Sequence, residues 1–323
     1  MVIKNYDGQI NECIELWNKS VESGEVVFKP LDKDSFNYLF LKERNYTVIN
    51  LVGEEDGKVI AFGSANFGSD PSKTTVAYIT YIGVLKEYRG QGKAKEMLAA
   101  LEAKLQELKP DLEKIELVFY NPCQLSWFIP GKAPHDHAGT PGVDMDSDAY
   151  KFFGKMGYEQ YSIQNTYYLE LKDYTYPDAI VERLEKLKEA DIEVCFFDKD
   201  RHHGFPEFFD NIQNEGWRRA VLSRLDEDIV ISAHNGMVTG YTGPLAVSPT
   251  GRGTFCGIGV HTEYRKHGIG KALFAALCKG LSEKGATFMS LFTGDTNPAR
   301  YIYEGAGFKI CRSFATMRKT LNK

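Results

Sequence analysis

Apolar and polar positions alternate along this chain in two distinct rhythms, and the rhythms recur in the same order in each half. In the first half, Ile10, Cys13, Ile14 and Trp17 recur at helical spacing. Pro30 and Asp32 then open a second helical stretch that runs to about Arg44. Val48–Val52 reads as a strand, Glu54–Lys58 as a turn with Gly57 at positive φ, and Val59–Phe67 as the next strand. Thr74–Val84 is a long β-branched and aromatic run. A helix follows through Leu108, closed by Pro110, and Ile115–Phe119 is a further strand. The second half repeats this. Ala179–Ala190 is helical and Ile192–Phe197 a strand. Pro206–Leu225 is helical with a break expected near Gly216. Asp228–Val247 forms a hairpin about Asn235-Gly236. A strand ends at Val260, a helix covers Ala272–Lys284, and Phe288–Phe292 is another strand.

The repeat can be measured. Arg89 and Arg265 stand 176 positions apart, while Gly157 and Gly307 stand 150 apart, so the first copy carries 26 extra residues between these landmarks. The surplus lies between about Tyr120 and Asp146 and holds Trp127, Phe128, His135-Asp136-His137 and several Pro and Gly residues. A long loop with turn-fixing residues and large aromatics reads as ordered and functional. It is expected either to help shape an acceptor site used by the second domain or to form a lid over the first domain's own cleft. The histidines and the nearby Asp144, Asp146 and Asp148 invite a metal reading. A solvated, hydrogen-bonded polar loop accounts for them better, and no metal is expected.

Each copy holds one stretch where a strand runs into a glycine-bearing turn and then a helix. In the second copy it is Ile258, Gly259 and Val260, then Arg265, Lys266, His267, Gly268, Ile269, Gly270, Lys271 and Ala272. In the first it is Ile82 and Val84, then Arg89, Gly90, Gly92, Lys93 and Ala94. Glycines let a backbone approach a ligand closely, and free N–H groups at a helix start attract anions. A side chain at Gly270 is expected to block that approach. Downstream, each copy ends its repeat on a short helix and a Gly-aromatic pair, Gly157-Tyr158 and Gly307-Phe308.

These segments resemble the GNAT acetyltransferase superfamily, whose pyrophosphate loop reads Arg/Gln-x-x-Gly-x-Gly/Ala. Arg265-Lys-His-Gly-Ile-Gly270 and Arg89-Gly-Gln-Gly-Lys-Ala94 both fit it. The resemblance covers nearly the whole chain. It implies an α+β chain of two tandem GNAT-like domains, each a mixed, mostly antiparallel sheet flanked by helices. Their expected bounds are residues 1–173 and 177–323. It also implies that the loops hold the pyrophosphate of acetyl-CoA, that the strands before them pair with the pantetheine arm, and that Asn297 contacts the pantetheine region. By the same resemblance Tyr303 donates a proton to the leaving thiolate. The first copy has Phe153 there, and Ser147 is read as its counterpart of Asn297, so the first domain is expected to be degenerate for chemistry. No carboxylate stands on the fourth strand of either copy, and Asp295, His261 and Glu263 remain candidates for the base.

The implied activity is N-acetyl transfer from acetyl-CoA to a small-molecule amine within a ternary complex. The rival readings are a non-catalytic acyl-CoA binding protein and an acetyltransferase acting on a protein amine. Composition narrows the setting. Among 323 residues the hydrophobic share is 43% and the charged share 26%, values of an ordinary globular protein. The net charge of −5 disfavours a broad nucleic-acid surface or an anionic-membrane surface. The first residues lack the regions of a secretory signal, and the six cysteines show no paired spacing. A cytoplasmic location with free thiols is the expectation.

Overall fold

The computed structural model describes the chain except residues 69, 71, 322 and 323. In chain order its principal elements begin with β1 (Val2–Asn5), α1 (Ile10–Glu22), β2 (Thr47–Glu55), β3 (Lys58–Phe67), β4 (Val76–Val84), α2 (Lys93–Leu108) and β5 (Lys114–Leu117). Then come α3 (Asp148–Lys155), β6 (Glu159–Glu170), α4 (Asp178–Glu189), β7 (Ile192–Phe196), α5 (Phe205–Ile212) and α6 (Glu215–Leu222). The last are β8 (Val230–His234), β9 (Met237–Thr242), β10 (Ile258–Val260), α7 (Ile269–Glu283), β11 (Phe288–Gly294), α8 (Arg300–Gly305) and β12 (Lys309–Thr320).

The contacts divide the chain into two units. One is Met1–Asn165 with the stretch from Arg312 on, and the other is Thr166–Cys311. The expected boundary within 173–177 therefore moves to the middle of β6, and the second domain does not keep its own C-terminal strand. From Arg312 that strand belongs to the first unit, where Met317, Arg318, Lys319 and Thr320 pair antiparallel with Leu117, Glu116, Ile115 and Lys114. Arg318 reaches the buried Glu116 at 2.7 Å and Lys319 reaches Glu102 at 2.7 Å. Periodicity marks a strand but not the neighbour it pairs with.

In the first unit β1 to β4 form an antiparallel sheet, and β5 joins β4 in parallel. The Asp56-Gly57 turn between β2 and β3 has φ of 50° and 78°, the left-handed pair that a two-residue hairpin needs. β3 is buried along nearly all its length because both faces are covered. Trp17, Phe36, Phe40 and Phe62 pack together in one core cluster, and Met97, Leu98, Leu101 and Leu105 of α2 centre the other. Gly63 admits α2 closely, since a Cβ there would lie 2.8 Å from Met97.

The second unit repeats the plan. β7, β8, β9 and β10 form an antiparallel sheet, with Asn235-Gly236 (φ 51° and 78°) turning β8 into β9. α7 buries Leu273, Phe274, Leu277 and Leu281, while Phe205, Phe208, Phe209 and Tyr241 build a second cluster. The break in the helical stretch falls at Gln213-Asn214, not at Gly216. Gln213 adopts φ of 53°, and the Asn214 side chain accepts the Trp217 N–H at 2.9 Å, so one helix stops and the next is capped.

Candidate functional site

The two glycine loops superpose in their backbone signs. In the first, Gly90 (φ 74°) and Gly92 (φ 81°) are left-handed and α2 starts at Lys93. In the second, Lys266 (φ 72°) and Gly268 (φ 79°) hold the same places and α7 starts at Ile269. Left-handed residues next to a helix start turn successive N–H groups into one concavity, which suits an anion. Lys266 takes a conformation that glycine occupies in the first copy, at a cost of about 1–2 kcal/mol. A non-glycine residue held there is a mark of a built loop.

Several of the expected ligands also have structural partners. The Arg89 Nε–H donates to the Val84 carbonyl at 2.8 Å, and the Arg265 Nε–H donates to the Val260 carbonyl at 3.2 Å. Each guanidinium ties its loop to the preceding strand, so these arginines position the loop. Lys93 pairs with Glu55. Gly270 lies in the first turn of α7, and a Cβ there would meet Ile302 of α8 at 3.3 Å. Its lack of a side chain therefore also serves helix packing, and Ala94 stands at the same place in the first copy. Lys271 and Ala272 follow in the same helix, and Ala272 is fully buried.

The loops differ in what covers them. Around Gly90 and Gly92 an added Cβ meets nothing within 4 Å. Over Gly268 lies Arg183 of α4, whose Nε is 2.7 Å from such a Cβ and whose Nη1–H donates to the His267 carbonyl at 3.4 Å. Linear reading missed Arg183, because nothing 84 positions upstream of His267 marks it as a neighbour of the loop.

The strands that feed the loops present free edges. β4 and β5 pair only from Val76–Tyr78 to Lys114–Glu116. The register of β4 on β3 shifts between Ser64 and Ala65, leaving Thr80 as the extra residue. Beyond it Ile79–Ile82 border a cavity of about 130 Å³ that lies within the first unit. Ile258, Gly259 and Val260 form the edge strand of the second unit's sheet, paired with Thr242, Tyr241 and Gly240.

Tyr303 sits on α8 with its ring 5.0 Å from Phe274 and 5.9 Å from Tyr167. Burial pushes its phenol above the ordinary value, so it keeps its proton at neutral pH. Phe153 is buried on α3 and lines the first unit's cavity. Asn297 accepts the Ala299 N–H at 3.0 Å, a turn two residues long. Asn121 makes the same turn with the Cys123 N–H at 2.9 Å and precedes a proline, as Asn297 does. Asn121 and Asn297 also keep the 176-residue offset of the loops, so Asn121, not Ser147, is the counterpart, and the surplus residues enter after it. That constant offset was the signal available in the sequence. Asn121 is buried and joined to Asn66 at 2.8 Å and Thr80 at 3.2 Å. Of the candidate bases, His261 caps the turn of Glu263 at 3.3 Å and Asp295 follows the end of β11.

The surplus segment packs inside the first unit. Trp127 bridges to Phe28 and lies 5.1 Å from Phe314; Lys29 pairs with Asp136; Val143 and Asp144 pair with Ala315 and Phe314. It is thus a wall of the first unit's own cleft. The His137 Nδ1 lies 2.8 Å from the Gly139 carbonyl, and Asp144 and Asp146 hold Arg312 at 2.9 and 2.6 Å, so these groups are spent on structure. Among the described residues Glu193, Cys195 and His202 do gather their donor atoms. Yet the His202 Nδ1 accepts the Asp198 N–H at 2.9 Å. A neutral imidazole then carries its proton on Nε2, which faces Glu193 at 3.2 Å and Cys195 at 3.7 Å and has no lone pair to give a metal. Burial also lifts the Cys195 thiol to about 11, leaving it protonated.

Two family models match the chain. The Acetyltransferase (GNAT) family matches residues 11–123 and the Acetyltransferase (GNAT) domain matches residues 226–310. No curated protein matches. Among solved structures, the chain is similar to the GCN5-related glucosamine N-acetyltransferase region of a fungal multi-domain GH3 β-N-acetylglucosaminidase, with 18% identity and a TM-score of 0.64. That match covers 98% of this chain but 38% of the longer fungal one. A GCN5-related N-acetyltransferase from Sphaerobacter thermophilus matches with 13% identity, 100% and 96% coverage and a TM-score of 0.61. A tandem GNAT protein from the clavulanic acid biosynthesis pathway matches with 13% identity, 100% and 99% coverage and a TM-score of 0.57. With a GNAT match in each half, together spanning more than half its length, and the same loop built twice, this chain belongs to the GNAT acetyltransferase superfamily as a tandem member.

Proposed function

We propose that this protein transfers an acetyl group from acetyl-CoA to the amine of a small molecule, and that the second unit performs the chemistry. The observation that carries the reading is Tyr303, a half-buried, protonated phenol on the helix that packs against the start of α7, where the loop ends. The residues offered to the CoA diphosphate are the backbone N–H groups of Lys266 to Gly270, with Arg183 beside them. The edge strand Ile258–Val260 offers its backbone to the pantetheine arm. In the first unit Gly90, Gly92, Lys93 and Ala94 form the equivalent cradle, fed by Ile82 and Val84.

The reaction forms a C–N bond as the amine attacks the thioester carbonyl and breaks the C–S bond. Tyr303 donates to the departing thiolate, and the attacking nitrogen loses one proton to water or to a base. No cysteine nucleophile is required, and Cys278 is buried with its thiol pushed well up. The test is CoA release from acetyl-CoA with a panel of small amines and with peptide amines. Release with no amine of either kind, together with tight CoA binding, would favour a binding protein instead.

A further inference from the structure

The first unit combines an open loop with an apolar cavity, and it lacks the phenol. We propose that it holds a CoA thioester whose acyl group is longer than acetyl, an apolar chain of about four to six carbons. This rests on the reading of the chain as a CoA-dependent transferase.

Three observations carry it. β4 leads directly into the loop at Gly90–Lys93, and its edge is released from β5 beyond Tyr78. A thioester with its diphosphate at the loop and its arm along Ile82–Val84 presents its acyl group at Thr80 and Tyr81, which border the cavity. The walls there are more apolar than polar, with Phe28, Leu117, Leu125, Val143 and Phe153 beside Asn121 and Asp144. Phe153 stands where the second copy has Tyr303, so the wall has no phenol at that position. Leu125 and Val143 come from the surplus segment, which the second copy does not have.

The volume decides the chain length. An apolar cavity of about 150 Å³ takes benzene, and this one measures about 130 Å³. The single methyl of an acetyl group leaves most of it empty, whereas a butanoyl to hexanoyl chain fills it. Burying one methylene raises affinity about fourfold.

The experiment uses the full chain and reads binding by calorimetry with CoA, acetyl-CoA, butanoyl-CoA and hexanoyl-CoA. Gly92→Val blocks the first loop, Gly268→Val blocks the second, and Ala149→Phe fills the mouth of the cavity from an exposed position. The expected result is one site that tightens about fourfold per methylene. That gain disappears in Gly92→Val, flattens in Ala149→Phe, and persists in Gly268→Val. Equal affinity for acetyl- and hexanoyl-CoA overturns the proposal, as does a chain-length gain that survives Ala149→Phe. Displacement of no acyl-CoA but binding of free hexylamine in a manner sensitive to Ala149→Phe also overturns it, by assigning the cavity to an acceptor. If CoA binds the protein but chain length is immaterial, this proposal alone falls. If no CoA species binds, the transferase reading falls with it.

Discussion

Replacing Tyr303 with Phe removes one oxygen and leaves the ring in its place between Phe274, Phe308 and Tyr167. The hydroxyl has no hydrogen-bond partner among the described residues, so folding stability should change by less than about 1 kcal/mol. The catalytic effect can be bounded. A CoA thiol has a pKa of about 8.5 and an ordinary phenol about 10, and burial lifts Tyr303 further. Complete proton transfer to the free thiolate is therefore uphill by at least about 2 kcal/mol. Tyr303 thus acts mainly as a hydrogen-bond donor while the C–S bond breaks. That places the effect at the low end of general-acid catalysis, a loss of about 10²-fold in kcat, or roughly 2.7 kcal/mol. The loss should be the same at pH 6 and pH 9, since a phenol raised above its usual value stays protonated across that window. Single-turnover CoA release, followed with a thiol reagent, measures the chemical step apart from product release. Acetyl-CoA affinity, read by calorimetry, should not change. A variant with wild-type single-turnover rate would remove Tyr303 from the mechanism.

Three further outcomes follow from the geometry. Arg183→Ala should weaken CoA binding at the second loop about five- to tenfold at low ionic strength and less at high salt, because the guanidinium lies over the anion cradle; equal salt dependence in both proteins would show that it does not face the ligand. Asn121→Ala should cost the first unit about 2–3 kcal/mol in urea unfolding, since it removes one partner of Asn66 and strands the Cys123 N–H; a loss below 0.5 kcal/mol on the same scale would deny it that role. Arg312→Ala should destabilise more at pH 7 than at pH 4. Burial raises the Asp144 carboxyl, so its favourable contribution is complete below the unfolded value near 3.9 and is lost as pH rises through the folded one. Removing Arg312 leaves that charge uncompensated, at about 2 kcal/mol for a pair that is partly exposed; thermal melts at the two pH values give the comparison.

Local chemistry was well recorded in the sequence. Asp56-Gly57 and Asn235-Gly236 name their hairpins because few residue pairs tolerate two left-handed positions. The glycine loops name themselves for the same reason, and the apolar runs of β3 and α7 announce burial on sight. What was hidden is what depends on partners far along the chain. Glu102 and Glu116 are ordinary polar positions until Lys319 and Arg318 arrive beside them from the C-terminal strand. Gly270 reads as a ligand-facing glycine until Ile302 is seen against it. Asn121 was masked differently: the residues that follow it break the alignment, although its own offset from Asn297 is intact.

The two copies have divided the features that one GNAT site unites. The first keeps an uncovered loop and a released strand edge, and its cleft is closed by a segment of its own with Phe153 on the wall. The second keeps Tyr303, and a cation lies over its loop. Loss of the phenol alone would be expected of a decaying copy, and a decaying copy would also lose its costly features. The first unit has not. It buries Asn121 in hydrogen bonds to Asn66 and Thr80, holds Asp144 against its desolvation with Arg312, and orders Trp127 against Phe314 of the cavity wall. Such buried polar groups destabilise a fold when their partners are missing, so the bonds that hold Asn121 and Asp144 describe a maintained pocket. A maintained pocket without a proton donor is suited to holding a thioester, and the chain-length series on Gly92→Val and Ala149→Phe is the measurement that separates holding from decay.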